Sequence, residues 1–259
     1  MRYTTITVSD HGAIRTITLH RPERRNAMTP EMQDELIAAL QECAASSARV
    51  LVLSGAGEAF CSGLDLSILA QMNDKPPAEY RADAERIAQL FVTLYELPIP
   101  TIAAVHGPAI AGGAGLAVAC DFTIAAHEAK FGFTEVRIGF VPALVSAFLA
   151  LKIGGRYLRD LLLTGRIVGA QEAHRIGLID EVVHHPDLAA RVQEFAECLL
   201  ANSPESMAAT KRLLIVQNKA WLDAAIAAAL EENSRSRETA DFREGIAAFL
   251  EKRKPHWHR

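Results

Sequence analysis

The chain has 259 residues, half of them hydrophobic and 22% charged, so it can bury a large core and disorder is excluded as its main state. Lys plus Arg number 27 and Asp plus Glu 31, a formal net charge of −4, which leaves no global basic footprint for a nucleic acid. An anionic ligand would have to be met by local cations or by backbone N–H groups.

Residues 4–20 alternate on a two-residue period around Ser9-Asp10-His11-Gly12, which predicts a β-hairpin. Thr29-Pro30-Glu31 opens a helix, with an N-cap oxygen, a proline at the first helical position and a carboxylate at the positive dipole end. Met32, Leu36, Leu40 and Cys43 form its apolar stripe. Val50–Leu53 predicts a buried strand, and strand–helix–strand order suggests a layered α/β core. Residues 54–66 form a glycine-rich connection, 71–80 a surface loop, and 81–95 a helix. Thr101–Val105 is a further strand, Gly107-Pro108 a turn, and Gly112 the start of a helix that stops near Asp121. Phe122–Ala125 is another strand. From 143 the pattern is helical apart from strand-like 178–183, with late helices expected at 204–217, 221–233 and 241–254. The alanines of 220–229 would allow close helix contact or an oligomer interface.

The cysteines at 43, 61, 120 and 198 match no zinc spacing and fit reduced thiols in a reducing compartment. The N-terminal residues lack a signal-peptide apolar region, and the apolar-rich run 99–119 is broken by prolines, His106 and glycines. The expectation is a cytoplasmic protein without a membrane span. His184-His185 and His256-x-His258 lack metal-site partners, so no metal is expected.

Three segments could carry chemistry. His106–Gly115 brings glycines to a helix start, where the Gly112 N–H would be a free donor suited to an oxyanion; tight strand-to-helix packing explains the same glycines. It lacks the lysine of a phosphate loop. Phe60–Leu66 could present a second backbone N–H, and nothing pairs Cys61 or Ser62 with a histidine as a nucleophile would require. Glu135 lies among Phe, Val and Ile, where desolvation would raise its pKa toward proton-transfer range. From periodicity alone, a surface glutamate paired with Arg137 or Lys130 is the simpler account.

Taken in order, Arg21-Pro22 with Asn26-Ala27, Ala59–Leu66, Ala103–Gly113, Cys120-Asp121, Leu161–Gly165 and Arg243–Arg253 resemble the crotonase family, the enoyl-CoA hydratase/isomerase superfamily. The resemblance implies an α/β fold, a spiral of β-β-α units with a C-terminal helical trimerisation region. Residues 1–200 would form the acyl-CoA-binding core and 201–259 the oligomerisation region of a homotrimer or dimer of trimers. It places the oxyanion hole on the N–H groups of Leu64 and Gly112 and the catalytic acid on Glu135. It puts substrate binding on Arg24, Arg25, Ala27, Gly63, Asp65, Leu66, Gly115, Phe249 and Lys252. Arg24 and Arg25 would meet coenzyme A phosphates, and Phe249 and Lys252 a neighbouring subunit's ligand. No resident cofactor is implied, because coenzyme A belongs to the substrate.

The chain departs from the two-glutamate pattern at Gly115, where the second acid would stand; a glycine there would open space. A one-acid site fits enoyl-CoA hydration, with residues 139–146 resembling hydratases of glutaconyl-type branched substrates. It also fits a Δ3,Δ2-enoyl-CoA isomerase. A non-catalytic acyl-CoA-binding protein and a thioester hydrolase are further alternatives.

Overall fold

Strands β1 (Ile6–His11) and β2 (Ile14–Leu19) pair antiparallel around a turn in which Gly12 has φ +61°. The structure is a computed structural model that describes residues 3–72 and 75–257. Met1 and Arg2 of the expected leaderless terminus, and His258 of the histidine pair, lie outside the described residues. Helix α1 (Pro30–Ala44) starts where expected: the Thr29 hydroxyl accepts from the Met32 N–H at 3.1 Å, and the stripe Met32, Leu36, Leu40 and Cys43 is buried.

Strand β3 (Val50–Gly55) follows, then α2 (Leu66–Gln71) and α3 (Pro77–Tyr95). The short α2 was not foreseen; Asp65 caps it by accepting from the Ser67 N–H at 3.2 Å. α3 begins earlier than expected because Pro76 and Pro77 occupy the N-cap and first helical positions rather than a loop. Next come β4 (Thr101–Val105), β5 (Pro108–Ile110), α4 (Gly112–Ala119), β6 (Phe122–Ala126) and β7 (Lys130–Gly132). A 3-10 turn at Glu135–Ile138 leads into α5 (Ala143–Leu149) and α6 (Gly155–Thr164). β8 (Ile167–Gly169), α7 (Ala170–Arg175), β9 (Glu181–Val183) and α8 (Leu188–Leu200) complete the front of the chain. Two late helices remain, α9 (Pro204–Ser236) and α10 (Ala240–Leu250). The expected break between 217 and 221 does not exist, because Asn218-Lys219-Ala220 contains no helix breaker and the Asn218 side chain donates back to the Leu214 carbonyl.

The large sheet runs β1-β2-β3-β4-β6-β9, parallel from β2 onward, and the small sheet β5-β7-β8. Each strand of the large sheet divides its side chains by parity. Val50 and Val52 join Ile102, Ile124 and the α8 residues Leu188 and Val192 in one cluster. Leu51 and Leu53 face the main core with Met32, Leu36 and Phe91. Helices on both faces explain why these strands read as unbroken apolar runs. The spiral repeats: β4–β5–α4 and β6–β7–α5 each send one strand to the large sheet, one to the small sheet, and then a helix.

α9 is long and apolar enough by length and composition to cross a membrane, a feature absent from the sequence expectation, which weighed only 99–119. In the fold it packs along α3 and α5 and carries the buried Lys211, paired with Asp121 at 2.6 Å.

The loop after β3 is fixed by Asn26, which is fully buried. Its amide nitrogen reaches the carbonyls of Ala56, Ala59 and Phe60 at 2.8, 2.8 and 3.1 Å, and its oxygen accepts from the Arg21 N–H at 2.9 Å. Asn26→Ala leaves those buried groups unpaired and should lower stability by about 3 kcal/mol in urea unfolding; a loss under about 1 kcal/mol would contradict this role.

Candidate active site

Cys61 and Ala109 form a parallel bridge between successive turns of the spiral: the Cys61 N–H donates to the Pro108 carbonyl at 3.2 Å and the Ile110 N–H to the Cys61 carbonyl at 2.9 Å. Leu64 and Gly112 each lie three residues beyond that bridge, so the two N–H groups expected to act together are brought to the same place in register. Gly63 and Gly113 make the approach possible. Gly63 has φ +88°, and a Cβ there would stand 3.0 Å from the Ala111 Cβ. A Cβ on Gly113 would run into the Cys61 carbonyl.

Leu64 is bridged to Met28 through its neighbours: the Met28 N–H donates to the Gly63 carbonyl at 2.7 Å and the Asp65 N–H to the Met28 carbonyl at 2.9 Å. In extended chain, alternate residues aim their N–H groups to opposite sides. The Leu64 N–H therefore points away from Met28, and it has no hydrogen-bond partner among the described residues. Gly112 opens α4, whose first internal bond runs from the Gly115 N–H to the Ala111 carbonyl at 3.0 Å. Its own N–H is an orphan of the first turn. Ala111, just before it, is held at φ 51°, a left-handed conformation uncommon for a residue with a side chain.

Glu135 heads the 3-10 turn after β7. Its backbone carbonyl accepts from Gly139 and from Phe140, the latter at 3.0 Å. Its side chain is 6% exposed, makes no ion pair among the described residues, and leaves Oε2 buried without a partner. Neither Arg137 nor Lys130 reaches it, so the simpler surface-pair account fails. Burial pushes the carboxyl up to about 7, with its own backbone N–H acting weakly in the opposite direction. α10 locks the turn: a Cβ on Gly139 would strike the Asp241 carbonyl, and one on Gly245 the Ile138 carbonyl.

Leu64, Gly112 and Glu135 line one largely apolar cavity of ≈250 Å³, together with Arg25, Leu66 and Phe249 from the expected substrate set. An adjoining depression of ≈300 Å³ shares Leu64, Leu66 and Phe249 and adds Arg24, Ala27 and Asp65. Against the desolvation of partial burial, the N-cap bonds from Ser67, helped by Arg21 at 3.3 Å, hold the Asp65 carboxyl below the usual carboxylate range. Gly63 lies buried beneath the two donors. Lys252 lies past the end of α10, exposed, and lines neither cavity.

Gly115 differs from expectation. It opens no space: a Cβ there would meet the Phe91 ring at 2.8 Å and a Val145 methyl at 3.0 Å, so the place of a second acid is filled by apolar side chains. Residues 140–145 shape the cavity together with Leu66 and Leu69. Thr134 and Asn233 also line it and went unnoticed in the sequence. The only signal for Asn233 was an amide near the end of an expected amphipathic helix. Cys61 is inert: its thiol is fully buried, reaches the Asn26 carbonyl at 3.1 Å, and is pushed up to about 12 by burial.

A family model described as enoyl-CoA hydratase/isomerase matches residues 9–259. A relative from Thermus thermophilus, whose name places it provisionally among the enoyl-CoA hydratases, is 41% identical over 249 residues, spanning 96% of this chain and 98% of its own. The 1,2-epoxyphenylacetyl-CoA isomerase of Escherichia coli is 33% identical and covered to 94%, as is this chain. The crystal structure of an enoyl-CoA hydratase/isomerase from Xanthobacter autotrophicus superposes with a TM-score of 0.89 at 30% identity, covering 97% of both chains. The crotonase-like spiral is thus the architecture of this chain.

The raised carboxyl has a stability consequence. The folded protein holds the Glu135 proton up to about pH 7, whereas the unfolded chain releases it near 4.5. Between those values the unfolded state binds fewer protons, so stability falls as pH rises. Glu135→Gln removes this dependence. Urea unfolding should show the variant gaining on the wild type by about 3 kcal/mol between pH 4 and pH 8; parallel pH profiles would refute the assignment.

Proposed function

We propose a function that starts from family and site together: the chain belongs to the enoyl-CoA hydratase/isomerase family, a family of enzymes. Within it, this protein hydrates a 2-enoyl-CoA thioester with a single glutamate. The observation that carries this reading is the buried, unpartnered Glu135 Oε2 in the same largely apolar cavity as two backbone donors without partners among the described residues.

The Leu64 and Gly112 N–H groups donate to the thioester oxygen and bind it more strongly as negative charge develops on it. A donor of this kind contributes about 3 kcal/mol to lowering the barrier. Ionised Glu135 takes a proton from water, whose oxygen adds to the β-carbon. The electron pair of the double bond moves to the α-carbon and thioester, and the proton on Glu135 then goes to the α-carbon. Water is consumed, and the acid ends as it began. A carboxyl near pKa 7 suits both halves of this transfer. No step needs a resident cofactor, since coenzyme A arrives with the substrate. Arg24 and Arg25 at the mouth would face its phosphates, and Phe249, 56% exposed, would cover it.

A second reading, Δ3,Δ2-enoyl-CoA isomerisation, draws support from the apolar filling at Gly115. Glu135 is the one acidic side chain among the described residues lining the cavity, and a lone carboxylate can move a proton between the α- and γ-carbons without water. A homotrimer or dimer of trimers is supported by the outward apolar residues of α9, Leu213 at 63% and Val216 at 67% exposure. A cytoplasmic setting fits the four free cysteines.

Purified protein offered 2-enoyl-CoA and 3-enoyl-CoA substrates should consume the conjugated thioester of the former, followed by its absorbance. The wild-type kcat/KM should rise with pH through an inflection near 7, where Glu135 ionises, and Glu135→Gln should lower kcat by about 100-fold or more. Formation of conjugated thioester from the 3-enoyl substrate, without hydration of the 2-enoyl one, would decide for isomerisation. Full activity in Glu135→Gln would refute both.

A further inference from the structure

Asn233, near the C-terminal end of α9, is 4% exposed and lines the same cavity as Glu135. Its Oδ1 accepts from Arg237 Nε at 3.1 Å. A guanidinium can only donate, so the amide oxygen must face Arg237 and the amide NH2 must face the other way. No described residue accepts from that NH2, yet it is not among the sealed, partnerless polar atoms. It is therefore presented to the cavity, whose neighbouring walls are the apolar side chains of Ile87, Phe91 and Leu144.

Arg237 leaves this amide little freedom. It is fully buried, donates to Asp83 at 2.7 Å, and lies 5.5 Å from the centre of the Phe140 ring, another cavity wall. The charges behind it alternate: Asp83 also meets Arg86 at 3.6 Å, and Arg86 meets Asp34 at 3.2 Å. Two guanidinium and two carboxylate groups sum to zero. The wall thus offers a fixed donor without a net positive charge, which suits a neutral acceptor better than a carboxylate.

We infer that Asn233 is a specificity-determining residue whose NH2 hydrogen-bonds a neutral oxygen (keto, ether or hydroxyl) carried on the acyl chain of the thioester. The inference rests on the acyl-CoA reading above. An all-carbon chain would desolvate the donor and leave it unpaired, and sites built around such a donor discriminate strongly against the analogue lacking the acceptor.

The test uses chain-length-matched 2-enoyl-CoAs, one all-carbon and the others with an ether oxygen replacing successive methylenes beyond the γ-carbon. Wild type should prefer one oxygen-bearing member at least tenfold in kcat/KM. Asn233→Asp keeps an acceptor for Arg237 but removes the donor; Asn233→Leu removes both. In either variant that melts cooperatively, the ratio of the two kcat/KM values should collapse toward one. Dissociation constants of the matched saturated acyl-CoAs, measured by calorimetry, should show the same preference and the same collapse without any turnover. Turnover with no preference in either readout overturns the role of Asn233 and leaves the hydratase reading standing. A binding preference that survives in Asn233→Asp also overturns it. Absence of turnover with an Asn233-dependent binding preference sustains the inference and removes the hydratase reading.

Discussion

One backbone contact holds the candidate site together: the parallel bridge between Cys61 and Ala109. Without it, Leu64 and Gly112 belong to unrelated loops 48 residues apart in sequence. With it, equal offsets from the bridge place both N–H groups at one spot. The bridge demands close packing, which explains the glycines around it better than flexibility does. Gly113 has no side chain because the Cys61 carbonyl occupies that space, and Gly63 adopts a conformation other residues resist. The strained Ala111 backbone lies between β5 and the donor, and its N–H is tied to the Gly132 carbonyl at 2.7 Å. The two N–H groups are thus fixed by the fold alone, so the proposed reaction would need little reorganisation of them when charge develops on an oxygen between them.

The acid is held by a different part of the chain, and its altered pKa follows from its burial in the same apolar surroundings. α10 presses on the C-terminal end of the Glu135 turn, where Asp241 abuts Gly139 and Gly245 abuts Ile138, so the late helices contribute to the site as well as to the exterior. Phe140 packs on Phe242 of α10 with ring centres 5.2 Å apart, closing the cavity from that side. Low polarity strengthens a hydrogen bond to a developing oxyanion and also disfavours the ionised carboxylate. Donor strength and acid pKa are therefore coupled: letting water in at this wall would weaken the first and lower the second together.

Much of this could be read before any coordinates, for identifiable reasons. The hairpin announces itself by alternation, α1 by its apolar stripe and the Thr29-Pro30 cap, and the core strands by short unbroken apolar runs, while the motif order of the family pointed to Leu64, Gly112 and Glu135. The small sheet was invisible because its strands are three residues long and interrupted by Gly and Pro, too short to show a period. α9 was split because its apolar residues include an outward set, Leu213, Val216 and Trp221, that blurs the stripe used to delimit helices. Glu135 illustrates the general limit. Periodicity reported only neighbours in sequence, while the α10 residues that pack on its turn lie more than 100 residues away.

Gly115 shows why a missing residue is not by itself a vacancy. The absent side chain suggests room, but the Phe91 ring fills it, and Phe91 is itself braced edge-on by Phe148 at 5.6 Å, which in turn packs on Tyr95 at 5.7 Å. The aromatic stack ties α3 to α5, two helices that wall the cavity. A carboxylate introduced at 115 would therefore have to displace a fully buried ring as well as accept desolvation beside a second acid. Two like charges in one apolar cavity would also raise each other's pKa, so a second acid would alter Glu135 as well as assist it. The single-acid site and its apolar wall are one arrangement: the packing that excludes a second carboxylate is part of the low-polarity surroundings that hold the first near neutrality.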